Sequence, residues 1–348
     1  MSTASGSLAS RTDTLYHPLA IGLTEIPGNV FLAPIAGYSD AAFRAVCLDW
    51  GAALCFTEMV SAEALSRDNG KTLRLLDRAP NEKEVAFQIF ASSPRSAAEA
   101  VRRIASLTPV LIDLNCGCSV AKVLKTGCGA ALLTKPALIG EIVRAMAGET
   151  SIPVSVKLRS GWDASADTYM ACAEEALRAG AKLLSLHPRT RAQGFSGKAK
   201  WEHIAALKRA AHVPVLGSGD LFTPEDCRSM LIQTGCDGVM LARGAMGNPF
   251  LFRRVRDLLE GRGEDRPLTT ADRLSTALRH MELLIGIKGE KTACREMRKH
   301  FVSYTKGLHG GAALRQEAVK ASSAADYRRI VAEYLSARPD AAAAGSQE

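Results

Sequence analysis

The sequence predicts an α/β protein, a (β/α)8 TIM barrel followed by a small all-α helical domain. Over residues 30–243, about eight short apolar runs alternate with stretches of helical periodicity. Parallel strands joined by right-handed helical crossovers close economically into a barrel when there are eight such units. After Thr270 only helical periodicity remains. A doubly wound open sheet is the alternative, but its GxGxxG signal after the first strand is absent.

The predicted strands are short apolar runs that mostly end in Gly, Pro, Asn or a charged residue. They cover residues 30–35, 53–60, 85–90, 110–114, 154–158, 183–186, 213–216 and 238–241. The segment after the first run has the apolar spacing of an amphipathic helix, which Ser39 would cap and Gly51 would end. Pro136 is expected to begin another helix after the fourth run.

Length and composition indicate the domain organisation. A chain of 348 residues suggests one large domain and a smaller one. No apolar run approaches the roughly 18 residues of a membrane-spanning helix, and the first residues lack the apolar core of a secretory signal. The expected organisation is a disordered N-terminal tail (1–20), the barrel (21–262), a charged linker (261–267), the helical domain (268–335) and a disordered C-terminal tail (339–348).

Charge and cysteine content narrow the function. The chain has 44 Lys and Arg residues against 36 Asp and Glu, a net charge of +8 that favours a polyanionic partner. Nine cysteines without a paired CxxC motif indicate reduced thiols and a cytoplasmic protein. Aromatic residues make up only 5%, which argues against an extended stacking platform for single-stranded nucleic acid.

Polar or glycine-rich groups follow nearly every predicted strand. Side chains at the carboxyl ends of barrel strands converge on one mouth, where barrel enzymes have their active sites. In strand order, the residues at these positions are Pro34, Ile35 and Ala36; Glu58; Gln88; Asn115 to Cys118; Lys157 and Arg159; His187 and Arg189; Ser218, Gly219 and Asp220; and Ala242 and Arg243. The sequence therefore predicts an active site at this mouth.

The last two loops at the mouth are glycine-rich and precede helices, so their backbone N–H groups can hold a phosphate. Together they favour a phosphate-bearing cofactor. Lys157 and Gln88 can contact the polar edge of a flavin ring, and a lysine there would stabilise the anionic reduced form.

Two thiols, Cys116 and Cys118, follow the fourth predicted strand. Zinc and iron–sulfur sites need about four ligands at characteristic spacing, and the sequence has no second Cys/His pair, so no metal site is expected. Cys118 lies in a glycine-flanked loop and is the better placed to exchange a proton with a substrate. Inert packing is the alternative for either thiol.

Seven segments resemble the tRNA-dihydrouridine synthases, in order, over about four-fifths of the chain. They are LAPIAGYSD (32–40), DLNCGCSVAKVLKTGCGAALL (113–133), VKLRSGW (156–162), HPRTRAQGFSGKAKW (187–201), GSGD (217–220), LARGAMGNP (241–249) and, in the helical part, RKHFVSYTKGL (298–308). The second segment is the most specific. The sequence is thus similar to a family of flavin-dependent barrels with a C-terminal helical domain.

The resemblance implies reduction of a tRNA uridine to dihydrouridine, with FMN as cofactor and NADPH or NADH as reductant. It implies that Cys118 donates a proton to carbon 5 of the uracil while a hydride from the flavin goes to carbon 6. The residues implied to bind FMN are Pro34, Ile35, Ala36, Gln88, Lys157, His187, Ser218, Gly219, Asp220, Ala242 and Arg243. Asn115 and Arg159 are implied to hold the target base and its backbone.

The partner implied by the resemblance is tRNA. Basic residues of the helical domain, Arg298 and Lys299 among them, are expected to contact its phosphates, together with residues near the mouth: Lys122, Lys125, Arg189 and Arg191. Four positions depart from the family pattern, which usually has Met at Cys116, Pro at Ser119, Asn at Ser218 and Trp at Ser303.

Two other functions remain open from the sequence. One is an FMN barrel oxidoreductase that acts on a small pyrimidine-like substrate, for which the basic helical domain has no use. The other is a non-catalytic tRNA-binding protein whose barrel merely retains a cofactor.

Overall fold

The computed structural model describes residues 14–67, 70–263 and 267–338. Residues 1–13 of the predicted N-terminal tail, and the predicted tail over residues 339–348, lie outside the described residues. The predicted tail boundary at residue 20 falls inside a β-hairpin, because strand β1 already begins at Leu19. The hairpin pairs Leu19 with Ile26, so these residues are held by the fold.

The strands lie close to the predicted apolar runs. They are β1 (Leu19–Ile21), β2 (Thr24–Ile26), β3 (Val30–Leu32), β4 (Leu54–Cys55), β5 (Val60–Ser61), β6 (Ala86–Phe90), β7 (Leu111–Cys116), β8 (Val154–Arg159), β9 (Leu183–His187), β10 (Val215–Gly217) and β11 (Gly238–Leu241). Strands β3 to β11 form one sheet in the order β4-β3-β11-β10-β9-β8-β7-β6-β5, with parallel pairing throughout.

The sheet closes through its interrupted second strand. Strands β4 and β5 are both parts of the predicted strand 53–60, and the chain between them leaves the regular ladder. A bridge from Phe56 to Ala86 of β6 joins the two ends of the sheet. The predicted eight-stranded TIM barrel is therefore confirmed, with one strand in two pieces.

The β1–β2 hairpin covers the end of the barrel at which the strands begin. Its buried residues Leu19, Ile21 and Ile26 belong to the same apolar cluster as Leu111 and Leu183, the first residues of β7 and β9. This burial removes the closed end from water. The opposite end, where the strands finish, stays open.

Helices follow the strands around the ring and then form a separate group. Those of the barrel are α1 (Ala41–Asp49), α2 (Ala62–Ser66), α3 (Gly70–Leu73), α4 (Pro94–Ala105), α5 (Ala121–Leu124), α6 (Pro136–Ala147), α7 (Tyr169–Arg178), α8 (Trp201–Ala210), α9 (Pro224–Thr234) and α10 (Leu251–Leu259). The helical C-terminal region contains α11 (Thr270–Lys288), α12 (Glu290–Tyr304), α13 (Gly311–Lys320) and α14 (Ala324–Ser336).

The predicted start of α6 at Pro136 is confirmed, but the predicted cap of α1 is wrong by one residue. Asp40 caps α1, because its carboxylate accepts a hydrogen bond from the Phe43 N–H at 3.0 Å. The Ser39 hydroxyl accepts instead from the Ile35 N–H, at 2.9 Å. Ser39 therefore stabilises the turn that leads into the helix.

The helical region packs against α1 through its own apolar core. Ala42 of α1 lies within that core, and Phe43 stacks on the buried ring of His280. A Cβ atom built on Gly247, in the loop before α10, would lie 2.3 Å from the carbonyl carbon of Ser303 in α12. Barrel and helical region therefore meet in a tight interface. Within the described residues, no helix is both long enough and apolar enough to cross a membrane.

Candidate active site

Polar side chains occupy alternate positions on three neighbouring strands of the barrel. The parallel register places Asn115 of β7, Lys157 of β8 and Ser185 of β9 side by side, and Arg159 beside His187 one step further along. Because alternate residues of a strand face the same side, each strand directs a row of polar groups toward the barrel interior. These rows end at the open mouth.

A cavity at this mouth brings the predicted residues together. It encloses about 970 Å³ of empty space, including the solvent at its opening. Its lining includes Pro34, Ile35, Ala36, Gln88, Asn115, Cys118, Lys157, Arg159, His187, Ser218, Gly219, Asp220, Ala242 and Arg243. Every residue predicted to bind cofactor or base, and the predicted catalytic cysteine, thus lies on one cavity wall. Arg298 and Lys299 do not line it.

Lys157 presents a positive charge to the cavity. No acceptor among the described residues lies within hydrogen-bonding distance of its ammonium group. Burial and the nearby Arg159 guanidinium lower the pKa of Lys157 to about 8, although the Asp113 carboxylate opposes the shift. The Gln88 amide is 1% exposed and reaches the same cavity. The site thus offers an unpartnered cation and an amide to a ligand.

The structure separates the two thiols. The Cys116 side chain is fully buried in the apolar core, whereas Cys118 lines the cavity. The Asn115 side-chain oxygen accepts from the Cys118 N–H at 2.9 Å and fixes this loop. A Cβ atom on Gly129, whose φ is +64°, would lie 2.7 Å from the Cys118 carbonyl oxygen, so the next loop closes on Cys118 only because residue 129 is glycine.

Arg159 connects the Cys118 loop to the loop after β9. Its guanidinium donates to the carbonyl oxygens of Gly117 at 2.9 Å, Thr190 at 3.0 Å and Gly194 at 2.9 Å. Burial and neighbouring arginines lower the pKa of Arg159 to about 10, so the group stays charged at neutral pH. Arg159 therefore contributes both a positive charge and a rigid connection.

His187 is a neutral group in this site. Burial and the cations around it, Lys157 and Arg159 first among them, lower the pKa of His187 to about 2. The Arg189 guanidinium lies 3.3 Å from the His187 Nε2 atom. Because arginine can only donate, Nε2 accepts and Nδ1 carries the proton.

An ion-pair network surrounds the loop after β10. The Asp220 carboxylate accepts from Arg189 at 2.7 Å and from Arg243 at 3.3 Å. Arg189 is buried by this pairing, at 2% exposure, so the expectation that it contacts tRNA phosphates at the surface is wrong. Gly219 has a φ of +113°, and a Cβ atom there would lie 2.9 Å from a ring carbon of His187. Asp220 thus organises two guanidinium groups around a closely packed turn.

Two aromatic residues at the mouth were missed by the sequence interpretation. Phe195 and Phe222 are 58% and 47% exposed, and the Arg243 guanidinium lies 4.4 Å and 5.3 Å from their ring centroids. Both stand in loops without periodicity. The available signal was the position of each aromatic residue in a loop that carries predicted site residues: Phe195 follows His187, and Phe222 follows Asp220.

Arg298 and Lys299 point to different places, as neighbours on a helix do. Arg298 lies against the segment between α13 and α14, where it donates to the Ala321 carbonyl oxygen at 3.4 Å. The Lys299 ammonium lies 5.4 Å from the ring centroid of Tyr38, on the loop that follows β3. Lys299 is therefore the one beside the barrel mouth.

The donor set suits a flavin nucleotide. Gln88 and Lys157 match the polar edge of its ring system, and an apolar wall over residues 33–36 can pack against the ring. The tight turn at Gly219 follows β10, two strands around the barrel from Lys157, and Arg243 follows β11, three strands away. A phosphate there would find a cation and backbone N–H groups. Within the described residues, no group of three His, Cys, Asp or Glu side chains is arranged to hold a metal ion.

Fold and cavity together define a barrel enzyme with a flavin site at the carboxyl ends of its strands. The family model described as "Dihydrouridine synthase (Dus)" matches residues 31–338. The chain belongs to the dihydrouridine synthase family.

Two relatives illustrate this membership. A "Probable tRNA-dihydrouridine synthase" of Treponema pallidum (strain Nichols) is 49% identical and covers 91% of this chain and 96% of its own length. The "tRNA-dihydrouridine synthase B" of Pseudomonas aeruginosa is 36% identical over 85% of this chain and 90% of its own length.

Two solved structures share the fold at low sequence identity. Histamine dehydrogenase from Rhizobium sp. 4-9 has a TM-score of 0.57 at 16% identity, covering 78% of this chain and 51% of that protein. Morphinone reductase in complex with tetrahydroNAD has a TM-score of 0.51 at 13% identity, covering 73% and 93%. At such identities the likeness supports the barrel fold alone.

Proposed function

We propose that this enzyme reduces a uridine in tRNA to 5,6-dihydrouridine. The observation that carries the proposal is the position of Cys118. Its thiol lines the cavity that also holds Gln88 and Lys157, whereas the other thiol of the same motif, Cys116, is buried in the core. A proton donor and a flavin-binding edge therefore share one cavity.

Saturation of the uracil ring requires a hydride at carbon 6 and a proton at carbon 5. FMN, when bound, would supply the hydride, and NADPH or NADH would supply its electrons. Burial raises the pKa of the Cys118 thiol, an effect that the Arg159 guanidinium partly opposes. Cys118 is therefore protonated at neutral pH and can act as the general acid.

The remaining cavity residues have supporting roles in this proposal. Those that would hold FMN are Pro34, Ile35, Ala36, Gln88, Lys157, His187, Ser218, Gly219, Asp220, Ala242 and Arg243. Lys157 would stabilise negative charge on the ring, and neutral His187 would donate through Nδ1. Asp220 would act through the arginines it orients, because its own charge would repel a phosphate. Asn115 and Arg159 would border the uracil.

The tRNA would approach the mouth along the helical region. A uridine inside a folded tRNA must be turned out of its stack to reach a thiol on the cavity wall. Lys299, together with the exposed Lys122 and Lys125 near the Cys118 loop, would contact phosphates. Arg298 would contribute less, since it lies against α13 and α14.

The proposal is tested with purified protein and unmodified tRNA transcripts. We expect a flavin absorbance spectrum, NADPH or NADH oxidation that depends on tRNA, and dihydrouridine in the digested RNA by mass spectrometry. Free uracil and uridine serve as controls for a small-molecule oxidoreductase. Equal turnover of free pyrimidines and tRNA, or protein that oxidises neither nucleotide with any RNA, would contradict the proposal.

A further inference from the structure

A continuous series of hydrogen bonds connects the barrel interior to the Cys118 loop. The Ser155 hydroxyl donates to one oxygen of Asp113 at 2.5 Å, and the Gln88 amide nitrogen donates to the other at 2.6 Å. The Asn115 amide nitrogen donates to the Gln88 oxygen at 2.8 Å. The Asn115 oxygen accepts from the Cys118 N–H at 2.9 Å. Three strands, β6, β7 and β8, contribute to this chain of contacts.

The two ends of the series determine its direction. An ionised carboxylate only accepts hydrogen bonds, so Gln88 must turn its NH₂ group toward Asp113 and its oxygen toward Asn115. A backbone N–H only donates, so Asn115 must turn its oxygen toward Cys118 and its NH₂ group toward Gln88. Both amides are thus held in one of their two possible orientations, and each end enforces the same one.

We propose that Asp113 is a positioning residue of the active site: it fixes the Gln88 amide in the orientation that Asn115 requires, and thereby supports the Asn115 side chain that holds the Cys118 loop. Asp113 is fully buried and does not line the cavity, so it acts only through these neighbours. The inference rests on the proposed function for the identity of the bound flavin and the tRNA substrate. The hydrogen bonds themselves belong to the protein alone.

The cost of burying a carboxylate supports a specific role. Interior positions of such barrels are usually filled by branched apolar side chains, which need no partners. A buried carboxylate requires hydrogen bonds, and Asp113 receives both from groups on neighbouring strands. One of those donors is Gln88, whose amide faces the cavity. Its orientation decides whether a ligand meets a donor or an acceptor there.

The first test measures the loop without reference to activity. In the holoenzyme, hydrogen exchange followed by mass spectrometry reports the Cys118 N–H that Asn115 protects. We expect Asp113→Leu, which keeps the branched shape but replaces both acceptors with methyl groups, to accelerate this exchange roughly tenfold, the equivalent of one lost hydrogen bond. Ser155→Ala is the matched control, because it removes a hydrogen bond to the same carboxylate and leaves Gln88 in place. It is expected to leave the exchange unchanged.

The second test separates positioning from general stability. We expect Asp113→Leu to lower kcat per bound flavin roughly 100-fold, with KM for tRNA little changed, since misplacement affects the chemical step. Asp113→Asn is expected to recover most of the loss. Its oxygen can accept from Gln88 while its NH₂ group donates to the Ser155 oxygen.

If Asp113→Leu does not fold, Asp113→Asn combined with Ser155→Ala replaces it. In this pair Asp113→Asn is isosteric and Ser155→Ala removes the acceptor that would orient the new amide, so exchange at Cys118 should exceed that of Ser155→Ala alone. If the Cys118 N–H of that double variant, or of Asp113→Leu, exchanges at the wild-type rate, the inference is overturned. If the wild-type protein is inactive on tRNA but Asp113→Leu still accelerates exchange at Cys118, the proposed function is overturned and the role of Asp113 stands.

Discussion

The arginines of the barrel mouth and Lys299 of the helical region differ in how their charges are held. At the mouth, Arg159 donates to three backbone carbonyl oxygens and Arg189 is buried against Asp220. Beside the mouth, the Lys299 ammonium of α12 lies over the ring of Tyr38 and has no hydrogen bond or ion pair with the described residues, so it can bind a partner. Fixed cations suit a small ligand whose reacting atoms need accurate placement, whereas free lysines suit phosphates held mainly by charge. The predictions below test this difference.

The largest effect is expected from Cys118→Ala. Removal of the general acid should lower dihydrouridine formation by about 10²- to 10⁴-fold, while flavin binding is retained. Single-turnover measurement of dihydrouridine in tRNA, at matched flavin content, checks this result.

The matched control is Cys116→Ala, two residues away in the same motif. Cys116 lies in the core, so its truncation should lower the free energy of unfolding by about 1 kcal/mol and leave turnover per folded enzyme unchanged. If Cys116→Ala abolishes turnover and Cys118→Ala does not, the catalytic role belongs to Cys116.

The next effect concerns pH. The pKa of Lys157 is lowered to about 8, so its positive charge is present below that pH and lost above it. We expect turnover to fall as the pH rises through about 8, because neutral lysine no longer stabilises a reduced, anionic ring. Cys118, whose pKa is raised, stays protonated over this range.

The Lys157→Arg variant tests whether the titration of Lys157 causes this decline in turnover. Arginine stays charged to high pH, so the decline near pH 8 should disappear even though the altered geometry lowers the maximum rate. A pH–rate profile of both proteins makes the comparison. Persistence of the same alkaline decline in Lys157→Arg would assign it to another group.

A smaller effect is expected at the helical region. Lys299→Ala should weaken tRNA binding and reduce the slope of log affinity against log salt by about 0.7 to 0.9, one phosphate contact, with little change in stability. Arg298→Ala should chiefly lower the melting temperature, because it removes the donor to the Ala321 carbonyl. Filter binding across a salt series, with thermal unfolding in parallel, distinguishes them. Equal losses of affinity would show that the two residues share one surface.

The smallest effect concerns the contact between the two regions. The Lys288 ammonium lies 2.8 Å from the Asp40 carboxylate that caps α1. The same ammonium lies 2.6 Å from the Glu296 carboxylate. We expect Lys288→Met, which removes both partly buried pairs, to lower the free energy of unfolding by about 1 kcal/mol. Lys320→Met, which removes an exposed ion pair with Glu317, is the control and should have no measurable effect. Urea unfolding of both variants tests the pair, and equal stability of all three proteins would contradict it.

Much of the fold and of the cavity could be predicted from the sequence, because short apolar runs, helical periodicity and strand ends are local features. The break in the second strand was not, since it depends on how Phe56 meets Ala86 across the closing ring. Burial of Arg189 was missed for a similar reason. Its partner, Asp220, lies on another loop, and only the folded chain brings them together.

The directions of the Arg298 and Lys299 side chains could not be predicted from the sequence either. A run of basic residues on a helix predicts charge but does not say which residue faces the neighbouring domain. That choice follows from the packing of α12 on α1 and α11, which the sequence pattern of one helix does not contain. The site residues on strand ends carried no such ambiguity, because the barrel fixes their direction.

The tight contact at Gly247 has a consequence for substrate choice. A side chain there would meet the backbone of Ser303 and push α12 outward, carrying Lys299 with it. Under the proposed function, the distance between Lys299 and the Cys118 thiol bears on which nucleotide reaches the cavity. We therefore expect a substitution at Gly247 to change which nucleotide of the tRNA arrives at Cys118.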